Sequence, residues 1–195
     1  MAATRPRRQV DTAQRILDVA ERLVQSRGFN GISYANVAAE LSITKASLHY
    51  HFPGKAELGE ALIVRYAARF AGALEQIDGC VSDARAKLAA YAGLYADVLR
   101  GERMCLCGIL AAEYETLPRP MGAAVLRFFD DNEVWLAGVL ARGQSEGTLS
   151  FEGSPSEAAQ TILSGLEGAM LIARPYGDPA RFQSAAARLL ASFAR

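Results

Sequence analysis

Between residues 11 and 28, apolar side chains recur at Ala13, Ile16, Leu17, Ala20, Leu23 and Val24, the spacing of one helical face. Asp11 is placed to cap this helix, and Gly28 follows Arg27 at its end. After the turn Phe29-Asn30-Gly31, Ser33 can cap a second helix that buries Tyr34, Val37, Ala38 and Leu41. Ser42-Ile43 is a turn. Thr44 can then cap a third short helix, which Pro53 ends. The remaining pattern is also helical. Residues 55–78 carry Leu58, Leu62, Tyr66, Phe70, Leu74 and Ile77 in register, and residues 82–100 carry Leu88, Tyr91, Tyr95, Val98 and Leu99. The stretch "RMCLCGILAAEYETLPRP" predicts a shorter helix stopped by Pro118 and Pro120. A long helix over 121–146 turns Val125, Phe128, Phe129, Leu136, Val139 and Leu140 inward. "GTLSFEGSPSE" reads as a loop ending in a helix start, with Ser154 as cap, Pro155 at the first position and Glu157 three after the cap. Helices over 155–174 and from Asp178-Pro179 to about 194 complete an all-α chain of about nine helices, with no strand pattern and no internal repeat.

A long helix followed by two short ones joined by a tight turn is the helix-turn-helix plan, whose second short helix enters the major groove of DNA. At roughly 100° per residue, Leu48, Phe52, Thr44 and His51 cluster on one side of that helix. Ala46 and Tyr50 point the other way, flanked by Ser47 and His49. Leu48, His51 and Phe52 are therefore expected in the core. Ala46 permits close approach to a base edge and its methyl can touch a thymine methyl. Ser47 and His49 can bond to bases, Tyr50 can bond a phosphate, and Lys45 can reach the backbone. Thr44, Lys45, Lys55 and Ser33 lie at helix N-termini, where free N–H groups favour phosphate.

Charge sharpens this picture. The net charge of the 195 residues is zero, but residues 1–55 carry +4 and the rest −4, as expected if the head meets a polyanion. Arg5, Arg7 and Arg8 fit an arm adding phosphate or minor-groove contacts. There is no run of apolar residues long enough for a membrane span and no secretory signal pattern, so a cytoplasmic protein with reduced thiols is expected. The only histidines, His49 and His51, are two apart and share no helical face, so no metal site or cofactor is expected. Neither histidine lies in the helical body, so a Cys-His nucleophile pair there is excluded, and no enzyme is expected.

The stretch "RILDVAERLVQSRGFNGISYANVAAELSITKASLHYHFPGKAEL" resembles the TetR/AcrR family of transcriptional regulators. It follows that family's order of helix, Gly-Phe turn, capped short helix, turn, recognition helix and Phe-Pro-x-Lys. The resemblance covers about a third of the chain. One position departs from it: Ser42 stands where the family often has glycine, so the serine takes the turn under strain or in another conformation. The resemblance implies a DNA-reading domain over residues 1–54 and a ligand-binding and dimerisation domain over 55–195. It also implies a homodimer on a palindromic double-stranded operator, released by a small-molecule effector.

The body offers residues for both roles. "TILSGLEGAMLIAR" sets Gly165, Gly168 and Ala169 beside Leu163, Leu166, Met170 and Leu171, a combination that suits close helix pairing between subunits, with an intrachain core helix as the alternative. Tyr66, Phe70, Tyr91, Tyr95, Cys105, Phe128 and Trp135 are candidates for lining an effector pocket, and the sequence does not separate lining from core. Cys105 and Cys107 near a helix start can have lowered pKa values, which would make an electrophile- or redox-sensing repressor the alternative, or they can be small buried apolar residues. A third reading is a DNA-binding regulator with no small-molecule ligand.

Overall fold

The computed structural model describes residues 7–194, with side chains from Asp11 onward. Nine α-helices follow one another: α1 Arg7–Arg27, α2 Tyr34–Leu41, α3 Lys45–His51, α4 Lys55–Cys80, α5 Ala84–Arg100, α6 Leu106–Ala112, α7 Arg119–Ser145, α8 Pro155–Ala173 and α9 Pro179–Ala191. Short 3-10 turns follow α6 and α8. Among the described residues the one extended contact is an isolated bridge between Leu149 and Ala194, with Ser150 N–H donating to the Phe193 carbonyl at 3.0 Å.

Caps largely decide these boundaries. The Ser33 and Ser154 hydroxyls each accept from the backbone N–H three residues on, and Asn36 and Glu157 reach back to close capping boxes. Two boundaries differ from expectation. Helix α1 begins at Arg7, so Asp11 lies inside it and is no cap; Arg7-Arg8-Gln9 are good helix formers and nothing in them stops the helix. Helix α7 begins at Arg119, so Pro120 opens a helix instead of stopping one. A proline is tolerated in a first turn because its missing N–H has no intrahelical partner there.

Ile16, Ala20, Leu23 and Val24 of α1 enclose a small core with Val37, Ala38 and Leu48, all nearly or wholly buried. Helix α4 spans both halves of the molecule. Leu58, Leu62 and Ile63 face the small core, and Tyr66, Phe70, Leu74 and Ile77 continue into the larger bundle of α5–α9. Gly59 allows the halves to meet: a Cβ there would lie 2.5 Å from Met121 and 2.9 Å from Phe29.

Polar ties join the halves as well. Glu21, almost fully buried on α1, pairs with Arg65 at 2.8 Å and with Arg69, both on α4. Gln25 and Met104 exchange hydrogen bonds: Gln25 Nε2 donates to the Met104 carbonyl at 2.9 Å and Met104 N–H to the Gln25 carbonyl at 3.1 Å. Glu113, just past α6, accepts from Phe29 N–H at 2.6 Å and Asn30 N–H at 3.2 Å. Arg174 donates to the Ser26 carbonyl.

Candidate nucleic-acid interface and buried polar site

Helix α3 is held by its ends. The Thr44 hydroxyl accepts from Ser47 N–H at 3.1 Å. At the other end the Tyr34 hydroxyl lies 2.8 Å from the Phe52 carbonyl and 2.5 Å from that of Gly54, so one phenol proton serves two acceptors. Burial, with the Glu57 carboxylate adding to it, pushes the Tyr34 hydroxyl up to about 12 and keeps it a donor. The turn into α3 passes through Ser42 at φ 54°, ψ 41°, the left-handed conformation. The serine therefore adopts the glycine-like turn and carries its steric cost.

With α3 so fixed, Leu48 is fully buried and His51 and Phe52 are half-buried, while Thr44, Lys45, Ala46, His49 and Tyr50 are exposed and Ser47 is half-buried. Tyr50 is 71% exposed, with its ring edge-on to His51. The His49 ring lies against Tyr34, centroids 4.6 Å apart, and its Nδ1 is 3.0 Å from the Pro53 carbonyl. A carbonyl only accepts, so Nδ1 carries the proton and Nε2 of the neutral ring is left as an acceptor. Such an acceptor suits an adenine or cytosine amino group.

Two residues expected at phosphates have internal work. The Ser33 hydroxyl lies in its capping box, 2.7 Å from Asn36 Oδ1. The Lys55 ammonium sits over the Phe29 ring, 4.4 Å from its centroid. Desolvation lowers the Lys55 pKa and the Glu113 carboxylate opposes that shift. Arg5 lies outside the described residues, as do the side chains of Arg7 and Arg8, whose backbone opens α1.

A second constellation lies inside the bundle. The seven candidate lining residues form one connected chain. Trp135 stacks on Tyr91 at 5.6 Å; Tyr91 meets Phe70 and Tyr95; Phe70 meets Phe128 at 5.2 Å; Phe128 meets Tyr66 at 5.6 Å; and the Tyr66 hydroxyl is 3.6 Å from Cys105 Sγ. Asn132, buried at 2% exposure, accepts from the Tyr91 hydroxyl at 3.1 Å. Trp135 is the outermost member. Its Nε1 donates to Asp78 at 2.9 Å, and it lines a surface cavity of about 200 Å³ with Lys87 and Arg142.

The residue that sequence reasoning missed is Glu167. Its carboxyl lies against the Cα of Gly108, so close that any β-carbon at that position would collide with it. One oxygen, Oε1, is buried without a hydrogen-bond partner. Burial pushes this carboxyl up to about 7, against a hydrogen bond with Cys105 that lowers it. The available signal was its isolation: within "TILSGLEGAMLIA", residues 161–173, it is the single charged side chain.

Of the two readings of the cysteines, the structure takes the buried one. Cys105 caps α6 and its sulfur accepts from Gly108 N–H at 3.5 Å, which lowers the thiol pKa. Both thiols are nevertheless raised well above their usual value, because burial dominates and the Glu167 charge adds to it. A helix terminus cannot outweigh the loss of water around a sulfur that is 1% exposed.

The residues expected at the subunit seam divide between the inward and outward sides of α8. Leu163, Leu166 and Met170 are buried within the chain, and Met170 Sδ accepts from Cys105 N–H at 3.2 Å. Gly165 lies against Leu189 of α9, where a Cβ would be 2.6 Å away. The larger intrachain bundle takes these large residues first. Gly168 is exposed, Ala169 is half-buried, and the outward side of α8 continues with Ser164, Leu171 at 58% and Ile172 at 59% exposure. Among the described residues no group of three or more metal-ligating side chains is assembled and no helix is long and apolar enough to cross a membrane.

Comparison with known proteins agrees with this geometry. The profile of bacterial regulatory proteins of the tetR family matches residues 16–62, and that of the tetracyclin repressor-like C-terminal domain matches residues 84–189. The chain is 28% identical over 179 residues to the transcriptional regulator AcuR of Cereibacter sphaeroides, covering 87% of this chain and 81% of that protein. It is 27% identical over 171 residues to the HTH-type transcriptional repressor NemR of Escherichia coli K12, covering 84% of each. A crystal structure of a TetR-family transcriptional regulator from Agrobacterium tumefaciens superposes with a TM-score of 0.92 at 30% identity, over 96% of this chain and all of that one.

Proposed function

Because this chain belongs to the TetR family of bacterial regulatory proteins, we propose that it is a homodimeric, cytoplasmic repressor whose operator complex is broken by a small-molecule effector. DNA binding and transcriptional regulation are the family's shared activity. Residues 1–54 form the reading unit and 55–195 the effector and dimerisation unit. Thr44, Lys45, Ala46, Ser47, His49 and Tyr50 face the major groove, with Ser33 and Lys55 at its phosphate rim. The exposed side of α8, through Gly168, Leu171 and Ile172, meets its twin. The pairing sets the two recognition helices about one DNA turn, roughly 34 Å, apart on a palindrome.

One observation carries the reading: α3 buries Leu48 completely while leaving Lys45, Ala46, His49 and Tyr50 exposed on a helix whose ends are pinned. Occupation of the aromatic cluster by an effector moves α6, and the Gln25–Met104 and Glu113 ties pass that movement to the end of α1. The test is a selection of bound fragments from genomic DNA followed by binding curves with a salt series. Lys45→Ala with Tyr50→Ala weakens binding on every sequence and lowers the salt slope by about one. Unchanged affinity in that double variant removes α3 as the reading helix.

A further inference from the structure

Glu167 is half-buried as a residue, but its carboxyl oxygen Oε1 is shut off from water and lacks what a buried carboxyl ordinarily has. Its Oε1 has no partner, its one side-chain hydrogen-bonding neighbour is the Cys105 thiol, and no lysine or arginine among the described residues offsets its charge. A leucine or methionine would fill this seam without that cost. The surroundings are also particular. Gly108 leaves the space the carboxyl occupies, the Cys105 sulfur is 3.5 Å from the Gly108 nitrogen, and the Tyr66 hydroxyl is 3.6 Å from that sulfur. The rings that continue from Tyr66, those of Phe70 and Phe128, lie 6.1 and 5.6 Å away, centroid to centroid. A single carboxylate next to a cluster of electron-rich rings is the recognition chemistry of an alkylated ammonium ion.

We propose that Glu167 makes the buried site selective for an organic ammonium ion, the carboxylate meeting the charge and the aromatic rings meeting the alkyl groups. This rests on the effector reading above and names the chemical class. A proton satisfies Glu167 when no cation is bound, and the ammonium replaces that proton on binding. An anionic ligand is repelled by the same carboxylate. A metal ion lacks a ligand set, since no group of three suitable side chains is assembled among the described residues.

The groups facing Glu167 are Tyr66 on α4, Tyr91 and Tyr95 on α5, and Cys105 and Cys107 at α6, all held neutral by burial. Glu167 is therefore the group that titrates. A quaternary ammonium, which has no proton of its own to lose, binds more weakly below about pH 7, by about tenfold per unit of pH, and reaches a plateau above it.

The experiment is calorimetric titration of the full chain with benzyltrimethylammonium, benzyl alcohol and benzoate, alongside operator binding with and without each compound. The expected result is one ammonium per chain, bound at least about tenfold more tightly than the other two compounds. Glu167→Gln, which keeps shape and removes charge, lowers ammonium affinity about tenfold or more and leaves benzyl alcohol unchanged. Thermal unfolding verifies that the variant is folded. Should it not fold, the pH profile of the native chain decides the matter by itself. Absence of ammonium binding up to millimolar concentration, equal binding of the alcohol, or full affinity in Glu167→Gln overturns the proposal. If benzyl alcohol or benzoate releases the operator while the ammonium does not bind, the charge selectivity falls and the effector reading stands. If the ammonium binds through Glu167 while operator affinity is unmoved, selectivity stands and effector release falls.

Discussion

Replacing Glu113 by alanine tests how the two halves are joined. At Gly28 the backbone turns left-handed, with φ 79°, and the next two N–H groups, of Phe29 and Asn30, converge on one point. This is an anion-binding concavity of the backbone, and the Glu113 carboxylate fills it from the end of α6. The bond from Phe29 is short, 2.6 Å, and part-buried; that from Asn30 is 3.2 Å and exposed. A net hydrogen bond to a charged acceptor is worth about 1.5–3 kcal/mol when shielded and less in water, so the pair contributes about 2–3 kcal/mol. For a chain of this size that lowers the melting temperature by about 4–12 °C. A site-specific reading comes from amide exchange, where Phe29 N–H and Asn30 N–H should lose about 30- to 100-fold of protection while core amides of α4 change only with global stability. Glu113→Gln keeps one acceptor oxygen and should lose about half as much. Unaltered exchange at both amides in Glu113→Ala would refute the tie and, with it, one of the two links by which α6 reaches α1.

Other measurements probe separate links. Ser42→Gly relieves the left-handed serine at φ 54° and should raise stability by about 0.5 kcal/mol after the extra freedom glycine gives the unfolded chain, read as a higher denaturant midpoint at constant slope; a lower midpoint contradicts the strain. Glu167 holds its proton to about pH 7 in the folded chain, against the ordinary 4.5, so the folded state binds more protons across that window. Stability should therefore decline by on the order of 2–3 kcal/mol as pH rises from about 4.5 to 7 and stay level above it, a slope that Glu167→Gln abolishes; identical pH profiles for the two proteins would show the carboxyl to be solvated. Leu171→Glu with Ile172→Glu places two charges on the proposed subunit face and should weaken the dimer at least about 100-fold by sedimentation; an undiminished dimer moves the interface elsewhere.

Local pattern was enough to place most helices, because a helix is specified by neighbours three and four residues apart. The caps at Ser33, Thr44 and Ser154 and the apolar stripes of α4, α5 and α7 are of this kind. The inward and outward sides of α3 also followed from helical geometry once Leu48 was assigned to the core. The family resemblance then supplied the biological class. The interior was not legible, since it depends on which elements meet. Leu163, Leu166 and Met170 have the same spacing whether they face a second chain or their own bundle, and the fold buries them within their own chain, where α8 packs on α5, α7 and α9. Cys105 sits at a helix start, as its neighbours in sequence indicated, but only residues brought from α4 and α8 decide its pKa, which they raise by shutting out water. Glu167 is a lone charge in the sequence. Only packing put it over Gly108 beside the rings of α4 and α5, because burial and electrostatic environment are sums over residues far apart in the chain.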